Sequence, residues 1–79
     1  MAHELTLYYM STCPFCLKVL EFMDDNGIGI PVKDRNASAE NLQELMKVGG
    51  KQQVPCLVIN GKAMYESDDI IAWMKKKLL

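Results

Sequence analysis

Two cysteines separated by two residues, Cys13 and Cys16, are the side chains of this chain best suited to chemistry. A thiol reacts as its thiolate, and a C-x-x-C pair can cycle between dithiol and disulfide or bind a metal ion. Pro14 fits the first turn of a helix, where amide groups and the positive dipole end favour an anion. We therefore predict that Cys13 is the nucleophile and that Cys16, one turn inward on the same helical face, is the resolving thiol.

The elements that must position this pair follow from the pattern of apolar residues. Alternation over residues 4–9 predicts a first strand, and apolar residues at helical spacing over 16–23, followed by Gly27, predict a helix of about three turns. Cys13 then lies where the first strand ends and the first helix begins.

The rest of the chain supplies three more strands and two more helices. In order, they are a strand over 30–34, a helix capped by Ser38 and stopped by Gly49 and Gly50, a buried strand over 56–59, a strand over 62–65 after an Asn60-Gly61 turn, and a helix capped by Ser67. The order β-α-β-α-β-β-α predicts an α/β fold, a four-stranded mixed sheet covered by helices. Because 79 residues is about half an average domain, we expect a single domain over 1–79.

Charge and composition exclude several classes of partner. Nine Lys plus Arg against ten Asp plus Glu give a net charge of −1, so no overall attraction to nucleic acid or anionic membranes is expected. No run approaches the roughly 18 apolar residues of a membrane span, and residues 1–4 lack the features of a signal peptide. Three cysteines are too few, and odd in number, for a secreted disulfide scaffold. We expect a cytoplasmic monomer that binds neither nucleic acid nor membrane.

A second motif, Val54-Pro55, precedes the predicted buried strand, and X-Pro bonds are where cis peptides occur. CPFC after the first strand, QVP before the third and YESDDI at the last helix together resemble the glutaredoxin family over essentially the whole chain. The stretches VGGKQQVPCL and YESDDI are also similar to the glutathione-binding half of glutathione transferases. The resemblance implies a thioredoxin-like fold and a single-domain dithiol glutaredoxin, with a cis proline facing the cysteines.

The same resemblance implies a groove for glutathione. The residues implied for it are Phe15, Lys51, Gln53, Val54, Pro55, Glu66, Ser67 and Asp68. In that family the backbone of the residue before the cis proline, here Val54, pairs with the cysteinyl part of glutathione, and Ser67 and Asp68 match the place of the γ-glutamyl end. A helix start can bind a carboxylate, and Asp68 or Glu66 can pair with an ammonium group. Simple helix capping is the alternative role for Ser67 and Asp68.

Two positions depart from the family pattern. Many glutaredoxins have a Lys three residues before the first cysteine, where this chain has Met10, and Lys51 and Gln53 are the candidates to replace that charge. A Gly-Gly pair often precedes the last helix, where this chain has Tyr65 and Glu66, closer to the transferase pattern.

Cys56, directly after Pro55, is predicted to lie close to the dithiol, either as a packed strand cysteine or as a third redox centre.

The activity implied by the resemblance is glutathione-dependent thiol-disulfide oxidoreduction, with glutathione as the reducing co-substrate and no metal. Cys13 would attack glutathionylated substrates, and protein disulfides would require both Cys13 and Cys16. Two alternatives stay open: a metal-binding module, such as an iron-sulfur cluster held through Cys13 and glutathione, and a redox protein reduced by thioredoxin reductase. Pro14 within the C-x-x-C loop and Val54-Pro55 argue against a copper carrier.

Overall fold

The computed structural model describes residues 4–79 and contains four strands and three helices in that range. They are β1 (Leu5–Tyr9), α1 (Pro14–Asp25), β2 (Val32–Asp34), α2 (Ala39–Gly49), β3 (Cys56–Ile59), β4 (Lys62–Met64) and α3 (Ser67–Leu78). The order β-α-β-α-β-β-α and the mixed four-stranded sheet, arranged β2-β1-β3-β4, confirm the predicted fold class. Within the described range, no helix has both the length and the apolar character needed to cross a bilayer.

The register of the sheet brings several strand ends to one edge. β1 runs parallel to β2, and Tyr9 at the end of β1 lies opposite Asp34 at the end of β2. β3 is antiparallel to β1, so its first residue, Cys56, lies opposite Tyr8. The segments that follow β1 and β2 and the segment that precedes β3 therefore meet at the same edge.

The core has one layer on each side of the sheet, because neighbouring strand residues point to opposite faces. On one side, Leu7 and Leu57 pack beneath α1 and α3, which also pack against each other. The buried cluster on that side consists of Leu7, Val19, Met23, Leu57, Ile70 and Met74. On the other side, Tyr8 and Cys56 pack with Leu45 of α2.

Local signals fix most of the element ends. The Ser38 hydroxyl accepts a hydrogen bond from the Asn41 backbone N–H at 3.1 Å, which caps α2 as predicted. Gly50 ends α2 with a φ of 75°, and the turn between β3 and β4 uses φ values of 50° at Asn60 and 85° at Gly61. Residues other than glycine, asparagine and aspartate rarely adopt a positive φ, which explains why Gly50, Asn60 and Gly61 occupy these positions.

Several predicted boundaries differ from the structure by one or two residues, including those of the strands predicted over 4–9 and 62–65, which span Leu5–Tyr9 and Lys62–Met64. The second strand begins at Val32 and not at residue 30, and Pro31, which has no backbone N–H to donate, lies just before it. The N-cap of α3 is Glu66 and not Ser67, since the Glu66 carbonyl oxygen accepts from the Ile70 N–H at 3.0 Å. Glu66 has a φ of 72°, and this turn starts the helix one residue earlier than predicted.

Candidate functional site

Cys13 is the N-cap residue of α1, at the edge of the sheet where β1 ends. Its carbonyl oxygen accepts the first helical hydrogen bond from Leu17 at 3.0 Å, and its N–H donates to the Met10 carbonyl oxygen at 3.1 Å. The N–H groups of Phe15 and Cys16 lie in the first turn, where an α-helix offers no carbonyl partner. The partly exposed Cys13 thiol thus lies at a helix start, where free amides and the helix dipole stabilise negative charge.

Cys16 lies one turn further along α1 and is completely buried. Burial raises the pKa of its thiol to about 12, against a hydrogen bond from the Met10 backbone and the charge of Arg35, which lower it. The neighbouring Cys13 thiol raises this pKa further. Both cysteines are free thiols in this structure. Cys16 is therefore a protonated thiol at neutral pH, and it must lose a proton before it can attack a disulfide.

A groove of about 360 Å³ lies beside the start of α1. Its walls come from α1, from the segment before β3 and from the start of α3. The segment before β3 contains the cis Val54–Pro55 peptide bond. The lining residues are Phe15, Gln53, Val54, Pro55, Glu66, Ser67 and Asp68. These are all the residues implied for a glutathione groove except Lys51.

Lys51 lies outside the groove lining and packs against a different residue. Its ammonium nitrogen is 4.3 Å from the centre of the Tyr65 ring, a cation–π contact next to α2. Of the two candidate substitutes for the family's Lys at Met10, Lys51 is therefore outside the groove lining and Gln53 is part of it.

At the start of α3, one end of the groove contains both free backbone N–H groups and carboxylates. Ser67 is the first helical residue and is buried, so the free amides of the first turn of α3 lie at the groove wall. Two carboxylates lie beside them: Asp68 pairs with Lys18 of α1, and Glu66 accepts a long contact of 3.4 Å from the Gln53 side-chain amide. A ligand group that carries both a carboxylate and an ammonium would find complementary partners here.

Arg35 is a residue of this site that the sequence analysis missed. It directly follows β2, and its guanidinium Nη1 donates to the Gln52 carbonyl oxygen at 2.8 Å, in the segment before the cis proline. Its charge also acts on the Cys16 thiol. The signal was present, because the carboxyl ends of two parallel strands meet at one sheet edge, and Arg35 and Cys13 each follow one of those strands.

Cys56 is a packed strand cysteine, which is one of the two roles predicted for it, and its side chain does not face the helix that holds the dithiol. It alternates with Leu57 on β3, so it points to the α2 side, where it is completely buried with Tyr8 and Leu45. Burial raises the pKa of its thiol, against lowering contributions that include the Tyr65 hydroxyl. The sheet therefore separates Cys56 from Cys13 and Cys16.

Comparison with known proteins agrees with this geometry. The model of the family described as Glutaredoxin matches residues 5–64, a range that contains the C-x-x-C motif, the cis proline and all four strands.

Individual relatives include both small and large proteins. Prostaglandin E synthase 2 of Danio rerio is 31% identical over 68 residues, which are 86% of this chain and 17% of that protein. The structure of oxidized glutaredoxin 2 from Chlamydomonas reinhardtii superposes with a TM-score of 0.65 at 26% identity, covering 94% of this chain and 73% of that chain. Glutathione transferase Omega 3C from Trametes versicolor superposes with a TM-score of 0.82 at 26% identity, covering 99% of this chain but only 35% of the transferase.

Proposed function

Because this chain belongs to the glutaredoxin family of thiol oxidoreductases, we propose that it reduces glutathione mixed disulfides and protein disulfides with glutathione as reducing co-substrate. The observation that carries the proposal is the position of Cys13: a partly exposed thiol at a helix start, next to a groove whose far wall is another helix start. We further propose that it acts as a monomer in the cytoplasm, where glutathione keeps thiols reduced.

The proposed reaction on a glutathionylated protein needs only Cys13. Its thiolate attacks the glutathione sulfur, which forms a Cys13–glutathione disulfide and releases the protein as a thiolate that takes up a proton. The thiolate of a second glutathione then attacks the glutathione sulfur of that disulfide, which regenerates the Cys13 thiolate and releases oxidised glutathione. The net reaction converts the glutathionylated protein and one reduced glutathione into the protein thiol and oxidised glutathione.

The groove suggests how glutathione would be held during these steps. We assign its cysteinyl part to the Val54 backbone, and its γ-glutamyl carboxylate to the free amides at the start of α3. The γ-glutamyl ammonium would pair with Asp68 or Glu66, the two carboxylates in the groove lining. Gln53 is the groove residue left for the glycyl end, since Met10 carries no charge and Lys51 lies over Tyr65.

A coupled assay tests this assignment, with a glutathionylated peptide as substrate and glutathione reductase consuming NADPH. Asp68→Asn should raise KM for glutathione about three- to ten-fold with little change in kcat, because an ammonium partner is lost. Asp69→Asn is the matched control, since Asp69 lies in the same first turn but outside the groove lining. Equal effects of the two changes would argue for a general influence on the helix and against a ligand contact.

The same preparation distinguishes the two other candidate functions. Turnover with thioredoxin reductase but none with glutathione would contradict the proposal and favour a flavin enzyme as electron donor. An absorbance spectrum of anaerobically purified protein with iron-sulfur bands would favour the cluster-binding function.

A further inference from the structure

Arg35 is held at the sheet edge that leads to Cys13 by contacts with two other segments of the chain and with the neighbouring Asn36. Its backbone N–H donates to the Tyr9 carbonyl oxygen at 2.8 Å, which continues the β1–β2 pairing beyond the end of β2. Its Nη1 donates to the Gln52 carbonyl oxygen at 2.8 Å, and its Nε reaches the Asn36 side-chain oxygen at 3.4 Å. The side chain is half-buried, so these contacts limit the positions that the guanidinium can take.

Each element near Cys16 contributes a different charged or titratable group. From the start of α1 comes the Cys13 thiol, and from the end of β2 comes the Arg35 guanidinium. On the α3 side the acidic groups in the groove lining are Asp68, which is paired with Lys18, and Glu66. Among the described residues, Arg35 contributes a positive charge that lowers the pKa of the Cys16 thiol, and this contribution is smaller than that of burial.

The chemical need for such a charge arises in the second half of protein disulfide reduction. After Cys13 has attacked a disulfide, a Cys13–substrate mixed disulfide remains. Cys16 must release its proton to water, and its thiolate then attacks the Cys13 sulfur. The Cys13–Cys16 bond forms, the bond to the substrate sulfur breaks, and the leaving thiolate takes up a proton. A buried thiol forms a thiolate reluctantly, so a fixed positive charge nearby favours this step.

We propose that Arg35 is the positioning residue of the resolving step, because it holds a fixed positive charge beside Cys16 and tethers the segment before the cis proline to the end of β2. The inference rests on the proposed dithiol function. It assigns to Arg35 a role in the attack by Cys16, and no role in the first attack by Cys13.

Two substitutions separate the charge of Arg35 from its hydrogen bond. Arg35→Gln keeps a side-chain amide that can donate to Gln52 but removes the charge. Arg35→Lys keeps the charge and one donor group. Both are made in a Cys56→Ala background, so that Cys13 and Cys16 are the only thiols of the protein.

The step itself can be followed without glutathione, by mixing the reduced protein with one equivalent of 5,5′-dithiobis(2-nitrobenzoate) in a stopped-flow spectrometer. The first released thionitrobenzoate reports attack by Cys13, and the second reports attack by Cys16 on the mixed disulfide. Arg35→Gln should slow the second phase about three- to ten-fold and the first less than two-fold, while Arg35→Lys should leave both within about two-fold. The deficit of Arg35→Gln should stay constant from pH 7 to 10, because both proteins remain below the pKa of Cys16 and gain thiolate by the same factor.

Two outcomes would overturn the inference. An unchanged second phase in Arg35→Gln would show that the charge does not assist Cys16, and equal slowing of both phases, not restored in Arg35→Lys, would show a general structural role. Because this reagent replaces glutathione, either result leaves the glutathione assay to judge the proposed function separately.

Discussion

Each side of the sheet contains a completely buried cysteine: Cys16 belongs to α1, and Cys56 belongs to β3 and faces α2. Burial raises the pKa of both thiols. Their surroundings differ in one respect that matters for redox chemistry. Cys16 has a partly exposed partner, Cys13, at the open start of its own helix, whereas Cys56 is enclosed by Tyr8 and Leu45. Burial alone therefore does not distinguish a thiol suited to redox chemistry from a packed one. The distinguishing feature is a partly exposed second thiol next to the buried one.

The two sides of the sheet also differ in the polar contacts that join their helices to neighbouring elements. On the α2 side, Glu44 accepts from Tyr8 at 3.0 Å and from Lys33 at 2.6 Å, which joins β1 and β2 to α2. On the α1–α3 side, Lys18 of α1 and Asp68 of α3 form a solvent-exposed ion pair. Exposed ion pairs contribute little to stability, so the side that carries the groove depends mainly on its apolar core.

The largest expected contrast is in activity. Cys13→Ser should lower turnover of a glutathionylated peptide by at least about 1000-fold, because the nucleophile is lost. Cys16→Ser should keep much of that turnover, and Cys56→Ala should stay within about three-fold while costing roughly 1 kcal/mol of stability. The glutathione reductase-coupled assay and urea unfolding measure the two quantities. Equal losses in Cys13→Ser and Cys56→Ala would remove the distinction between the two sides.

Alkylation of the reduced native protein should give the next largest contrast. Iodoacetamide should label Cys13 at least about 100-fold faster than Cys16 or Cys56 at pH 8, because the two buried thiols are inaccessible and largely protonated. Peptide mass spectrometry after timed quenching gives the three rates. In guanidinium chloride the rates should converge, and rapid labelling of Cys56 in the native protein would mean that α2 opens.

Alkaline pH should destabilise the reduced protein, and more through Cys16 than through Cys56. Burial raises the folded-state pKa of Cys16 from 9.0 to about 12, so above pH 9 the unfolded chain loses this proton while the folded chain keeps it. The stabilisation is complete below pH 9 and is lost as the pH rises towards 12. Urea unfolding between pH 8 and 11 should show a shallower loss in Cys16→Ala than in Cys56→Ala. A steeper loss in Cys16→Ala would reverse the order.

A smaller effect, on the free energy of unfolding, is expected from a substitution at Gly49, the last residue of α2. A Cβ at this position would overlap the Tyr65 hydroxyl, so Gly49→Ala should cost about 1–3 kcal/mol. Tyr65→Phe removes the overlapping oxygen atom, so it should recover most of the loss in the double variant. Thermal unfolding of the four proteins measures the coupling. Additive effects would mean that the added methyl group is accommodated in another way.

The sequence was informative wherever the structure depends on neighbouring residues. Cys13 was expected at a helix start because Pro14 and the following apolar residues specify one, and Ser38 was expected as a cap for the same kind of reason. The succession of strands and helices along the chain followed from the pattern of apolar residues and turn residues. These features need only a few consecutive residues and general rules of connection.

The expectations that failed depend on how distant segments meet. Cys56 was expected near the dithiol because it follows Pro55, but strand alternation directs its side chain to the opposite face. Lys51 was expected to supply a charge to the groove, but the Tyr65 ring lies against it. Arg35 comes to the site only through the parallel pairing of β1 with β2, so the signal for it lies in the topology of the sheet and not in its neighbours in sequence.

The backbone at Glu66 has a consequence for how this protein would respond to selection. Its φ of 72° is a conformation that glycine adopts freely and other residues adopt at a cost of about 1 kcal/mol or more. A glutamate codon becomes a glycine codon by a single-nucleotide transition. Laboratory evolution for heat resistance alone should therefore find glycine at this position early, whereas evolution that also demands turnover of glutathione should keep the carboxylate in the groove.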